Sequence, residues 1–126
     1  MGRGEGSYNF VTRDEARAII LALPQVVEGQ TFGSLSFKVN GKVLCGIGAR
    51  TSPDDLYLTG VGFDEREALV ERHPDVFHTN PHFDGANYIM AHLQTLPAHV
   101  LTAQLERRWR QLAKKADVKA RDARAG

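Results

Sequence analysis

The chain has 126 residues, 42% of them hydrophobic and 25% charged, with a formal net charge of +1. That is one domain's worth, long enough to bury roughly two thirds of the surface its unfolded form exposes. No apolar run approaches the ~20 residues that span a bilayer, the opening MGRGEGSYNF has no signal-peptide core, and one cysteine, Cys45, excludes an internal disulfide framework or a cysteine-built zinc site.

A cytoplasmic protein with no resident cofactor is therefore expected. The charge is uneven. Residues 1–105 carry 8 Lys/Arg against 12 Asp/Glu, a balance of −4, whereas residues 106–126 carry 8 against 3, a balance of +5. Such asymmetry marks some nucleic-acid contacts, although basic residues at a helix C-terminus are also favoured by the helix dipole alone.

Residues 1–11 are Gly-rich and polar and read as a flexible segment. VTRDEARAIILALP then predicts a helix. Thr12 and Glu15 have capping-box spacing, Val11 is placed to staple its start, Ala16, Ile19, Ile20 and Leu23 recur on one face, and Pro24 ends it. After a linker, SLSFKVNGKVLCGIG reads as a hairpin. Leu35, Phe37 and Val39 alternate with Ser34, Ser36 and Lys38, Asn40-Gly41 supplies the turn, and Val43, Cys45 and Ile47 alternate on the return strand. TSPDD makes a second turn before a strand in LYLTGV, and DEREALVERHP follows as a short helix stopped by Pro74.

DVFHT is a brief strand at most. ANYIMAHL is a last strand, with Tyr88, Met90 and His92 on one face and Ile89, Ala91 and Leu93 on the other. From Pro97 a single long amphipathic helix is expected, its buried stripe running through Leu101, Leu105, Trp109, Leu112 and Ala116. The order α-β-β-β-α-β-β-α predicts a two-layer α+β domain, with helices packed on one antiparallel sheet. The domain should span 12–116, leaving 117–126 as a basic, disordered tail.

Three stretches, in this order and spacing, carry a family resemblance: LPQVVEGQTFGSLSFKVNGKVLCGIG, DEREALVERHPDVFHTNPHF and ERRWRQLA. The chain resembles the MmcQ/YjbR family from about Thr12 to Ala113. It departs from the family in the last strand, where Asn87-Tyr88 stands in the stretch that commonly carries a tryptophan, so a ligand stacked on that ring does not transfer. The resemblance implies a two-layer fold like that of YjbR and the type III secretion chaperones. It also implies the family's label, a predicted DNA-binding protein with a double-wing motif, and brings no catalytic residues.

The densest candidate chemistry is HTNPHFDGANYIMAHL. His78 and His82 stand four apart, which aligns two ligands only on a helix, and Asn80-Pro81 disfavours a helix there. With Asp84 they would make a minimal metal set, but a loop with a turn at Asn80 and Asp84 is the expected reading, and no metal site is expected. Cys45 in mid-strand reads as a small buried hydrophobe rather than a nucleophile. Gly46-Ile47-Gly48 and Gly60-Val61-Gly62 lack the strand-to-helix setting of a phosphate cradle and read as bulges or strand ends. No catalytic residue is expected.

Double-stranded DNA is the partner the resemblance implies. Hairpin tips acting as wings would offer Lys38, Asn40 and Lys42 at one turn and Arg50 at the other. The C-terminal helix would add Arg107, Arg108, Arg110, Lys114 and Lys115, all suited to phosphate contacts. Two rival readings are a protein-interaction module of secretion-chaperone-like fold, and a small-ligand protein whose pocket uses His82 and Tyr88.

Overall fold

In the computed structural model, residues 11–31, 34–48, 54–79 and 87–125 are described. Helix α1 (Arg13–Leu21) begins at the expected capping box: the Glu15 amide donates to Thr12 Oγ1 at 3.1 Å and the Thr12 amide to Glu15 Oε1 at 2.9 Å. Ala16 and Ile20 are fully buried, and Val11 and Leu23 pack beside them. Gln25, in the left-handed region at φ 64°, then swings the chain into β1 (Val26–Thr31).

This strand stands where the sequence suggested a linker. Gly29 and Gln30 hide any alternation, and the ordering comes from outside the segment. β1 pairs along its whole length with β2 (Ser34–Val39), and Glu28 binds Arg17 of α1 at 2.8 Å.

Asn40 and Gly41 adopt positive φ (55° and 79°) and join β2 to β3 (Lys42–Ile47) in the two-residue hairpin that Asn-Gly favours. The ladder slips once. Phe37 faces Cys45 while Lys38 faces Val43, so Leu44 is the extra residue of a bulge. The expected alternation of Val43, Cys45 and Ile47 is broken there: Val43 is only partly buried, and Leu44 joins Cys45 and Ile47 in full burial. Thr59 caps the bulge, its hydroxyl lying 2.8 Å from the Val43 carbonyl and 3.0 Å from that of Leu44.

The chain continues as β4 (Asp55–Thr59), α2 (Phe63–Arg72), β5 (Phe77–His78) and β6 (Tyr88–His92). A 3-10 turn (Leu93–Thr95), α3 (Ala98–Leu112) and α4 (Lys115–Ala125) follow. All neighbours in the six-stranded sheet, ordered β1-β2-β3-β4-β6-β5, are antiparallel. The fold is therefore α+β with an antiparallel sheet, as the sequence predicts. Its order is α-β-β-β-β-α-β-β-α-α, one strand and one helix richer than expected.

Helices α1 and α3 pack together, and α3 also covers β3 and β4. Phe37, Leu44, Ile47, Leu56, Leu58, Ile89, Leu101 and Leu105 fill the core with Trp109, each worth on the order of 2 kcal/mol relative to exposure. Trp109 is wholly buried, and its indole N–H donates to the Pro24 carbonyl at 2.8 Å.

The single C-terminal helix of the sequence reading is two helices. Ala113 is extended (ψ 156°), so Ala116 leaves the buried stripe and is exposed. The segment 117–126, expected to be disordered, is helical through Ala125. Nothing in Ala113-Lys114 itself demands the break, which is fixed by what α4 then meets. Arg121 grips Glu106 of α3 through both its Nε (3.0 Å) and its Nη2 (2.7 Å), and Asp122 accepts from Arg110 at 2.7 Å. The Arg121 guanidinium also lies 5.4 Å from the Trp109 ring centroid.

Candidate functional site

Two groups of chemically able side chains form at opposite ends of the sheet. The first surrounds the β2–β3 turn. Asn40 Nδ2 donates to the carbonyl of Leu112 at 3.3 Å, seating the hairpin tip against the end of α3. Lys38 and Lys42 flank that tip, and Lys114 and Lys115 follow Leu112 by two and three residues. All four are exposed, and among the described residues none of them enters an ion pair.

The three arginines differ. Arg107 pairs with Glu65 of α2 at 3.0 Å, and Arg110 pairs with Glu106 and Asp122. Arg108 donates from Nε to Thr59 Oγ1 at 3.0 Å and from Nη1 to Gln111 Oε1 at 2.9 Å. Its guanidinium lies over Gly60, where a β-carbon would collide with it. Partial burial lowers the Arg108 pKa below its ordinary value, whereas the carboxylates raise that of Arg110, Asp122 first. These side chains hold α2, α3, α4 and β4 together. Arg50 lies outside the described residues.

The second group grows from strand register. In β4, Leu56 and Leu58 face the core, so Asp55 and Tyr57 face the other way. Asp55 stands opposite His92 of β6, and Tyr57 opposite Met90. β5 joins with Phe77 opposite Ala91 and His78 opposite Met90. The pleat therefore places Asp55, His78 and His92 on one face, on three adjacent strands.

Asp55 Oδ1 lies 2.9 Å from His92 Nδ1, and Asp55 Oδ2 lies 3.0 Å from His78 Nε2. The two imidazoles stack, with centroids 4.2 Å apart and planes 16° from parallel. Burial is graded: the Asp55 side chain is 8% exposed, His78 33% and His92 49%. One nitrogen or oxygen from each of the three lies within 4.8 Å of the others. A carboxylate this buried must be neutralised or fully hydrogen-bonded, and two imidazoles converge on it.

The sequence reading grouped His78 with His82 and Asp84, which lie outside the described residues. The partners the fold gives His78 are Asp55, which the sequence placed in a turn, and His92, which it placed with Tyr88 and Met90 on one face of its strand. Tyr88, a sequence-based pocket candidate, stacks on Tyr57 with centroids 5.4 Å apart, and the Tyr57 ring lies across Gly46, where there is no room for a β-carbon. Burial raises the Tyr57 hydroxyl pKa. Cys45 is buried, and the same cause pushes its thiol far above the range of a reactive thiolate.

No family model and no curated protein matches the sequence. Among solved structures, the fold is similar to that of Deinococcus radiodurans protein DR2400, described as a DUF419 domain. The TM-score is 0.68 at 24% identity, covering 87% of this chain and 84% of that one. At that identity the likeness shows the fold. Among the described residues, no helix is long and apolar enough to cross a membrane.

Proposed function

We propose that the protein binds the sugar–phosphate backbone of double-stranded DNA through Lys38, Lys42, Lys114 and Lys115. One observation carries this reading: the Asn40–Leu112 hydrogen bond joins the hairpin tip to the end of α3. Lysines from two distant stretches of sequence thereby share one end of the molecule. The resemblance to the MmcQ/YjbR family, with its double-wing DNA-binding label, supports the same partner.

The contacts are electrostatic and read no sequence. Phosphate neutralisation releases counterions, and each contact steepens the log–log salt slope by ~0.9. Four lysines give a slope of at most about −4. Modest affinity follows, because the rest of the body carries excess acid. Arg107, Arg108 and Arg110 contribute through the integrity of the fold, since each is already held by a neighbour.

Fluorescence anisotropy with a mixed-sequence duplex, titrated from low to physiological salt, tests the reading. Lys38→Gln with Lys42→Gln, and Lys114→Gln with Lys115→Gln, should each flatten the slope by about 2. No binding at low salt, or slopes unchanged in both double variants, would reject it.

A further inference from the structure

At the other end of the sheet, we infer that Asp55, His78 and His92 form a binding site for one divalent first-row metal ion, zinc being the natural occupant. The donor set is two imidazole nitrogens and one carboxylate, the minimum set of protein ligands that leaves a coordination position open. Oxygen-seeking ions such as magnesium and calcium are poorly matched to a site with two imidazoles.

Three observations converge. First, the donors are fixed by strand register rather than by loops. Asp55 is directly opposite His92, and His78 stands beside them on β5. Ligands on paired strands need little reorganisation to bind.

Second, the spacing suits a common centre. Two ligand atoms on a tetrahedral zinc, each ~2.0–2.1 Å from the metal, are about 3.3 Å apart. The carboxylate–imidazole contacts of 2.9 and 3.0 Å end on the two different oxygens of Asp55, and one donor atom from each residue lies within 4.8 Å of the others, so the side chains close by at most about 1.5 Å onto a shared ion. Stacking keeps both rings directed at the same carboxylate.

Third, the site has an inside and an outside. Asp55 supplies a buried anion beneath, while His92 is half exposed and leaves the outer side open to solvent. An ion reaches the site without unfolding it, and its remaining position takes water or a small anionic ligand. Without metal, the carboxylate is satisfied by N–H donors from both rings. With metal, those same nitrogens present lone pairs and carry their protons on the opposite ring nitrogen.

The test is calorimetric titration of the full chain with zinc chloride, alongside His92→Gln, His78→Gln and Asp55→Asn. His92 is exposed, so its variant keeps the fold even where replacement of the buried Asp55 does not. One equivalent should bind with Kd near 10 µM or tighter, and His92→Gln should weaken it by about tenfold or more, at least the cost of disturbing a second-sphere partner. In the histidine ring NMR spectrum, zinc should shift His78 and His92 before His73 and His99. Wild-type binding weaker than about 100 µM, a smaller loss in His92→Gln, or shifts confined to other histidines would each overturn the assignment.

Discussion

Trp109 joins three parts of the molecule through one side chain. Its ring is wholly buried under the sheet, its N–H reaches the Pro24 carbonyl where α1 gives way to β1, and its outer face carries Arg121 of α4. Trp109→Phe keeps an aromatic ring but loses the hydrogen bond and leaves a small void. The combined cost should be about 2–3 kcal/mol, one unpaired acceptor plus a partial cavity. Urea unfolding should show a lower midpoint with an unchanged m-value. A change below ~0.5 kcal/mol, the size of an ordinary surface substitution, would mean that the Pro24 contact is not stabilising. Helical periodicity puts Trp109 on the buried face, and that much was legible. Its partner, 85 residues earlier, was not. The Asp55 group divides the same way. Alternation in ANYIMAHL places His92 with Tyr88 and Met90, but only the β4–β6 and β5–β6 registers reveal that Asp55 and His78 join it.

At the scale of elements, α4 shows why a C-terminal segment can read as a tail and still fold. It buries little apolar surface, and its docking rests on the pairs that Glu106 and Asp122 make with Arg121 and Arg110. Those partners stand 12 and 15 residues apart, beyond any local pattern a helix would display. β1 was missed for a similar reason, its order coming from β2 and Arg17. The capping box, the Asn-Gly turn and Pro74 act within a few residues, and so were readable. The α4 latch is sensitive to acid. The hydrogen bond from Arg121, foremost, holds the Glu106 carboxyl below its ordinary range, and Arg110 does the same for Asp122. A carboxyl whose pKa is depressed on folding stabilises the folded form above its unfolded value, and that contribution fades as pH falls through the folded one. Docking of α4 should therefore be constant near neutrality and weaken as pH falls below about 4.5. Hydrogen exchange of the 115–125 amides, corrected for the intrinsic rate, reads this directly. Glu106→Gln should speed that exchange a few-fold at pH 7, roughly 0.5–1 kcal/mol of lost local stability for a partly exposed, solvent-screened pair. It should also flatten the acid response, with Asp122 supplying what remains. Exchange in Glu106→Gln indistinguishable from wild type would show that α4 is held by something other than this latch.

At the scale of the whole molecule, what matters is how the two ends of the sheet relate. β3 runs from Lys42 at the lysine-bearing turn to Ile47, and Gly48 beyond it donates to the Asp55 carbonyl at 2.7 Å. Six residue steps at ~3.3 Å each separate the two groups by about 20 Å. The Debye length at physiological ionic strength is about 8 Å, so charge gained at one end is largely screened at the other. The two ends are joined by the antiparallel pairing of β3 and β4, and coupling between them would need an element with two arrangements that both sites bias. The two sites should therefore behave independently. At physiological salt, His92→Gln should change duplex affinity less than about twofold, as should Lys114→Gln with Lys115→Gln for zinc. In ~0.01 M salt, where screening extends to about 30 Å, zinc loading should strengthen duplex binding slightly, because it adds positive charge to the same molecule. Anisotropy titrations of wild type and His92→Gln, with and without zinc, measure both regimes. A large loss of duplex affinity in His92→Gln at physiological salt would place the nucleic acid over the β4–β6 end of the sheet. The histidines would then be its contacts, and the lysines at the hairpin tip only bystanders.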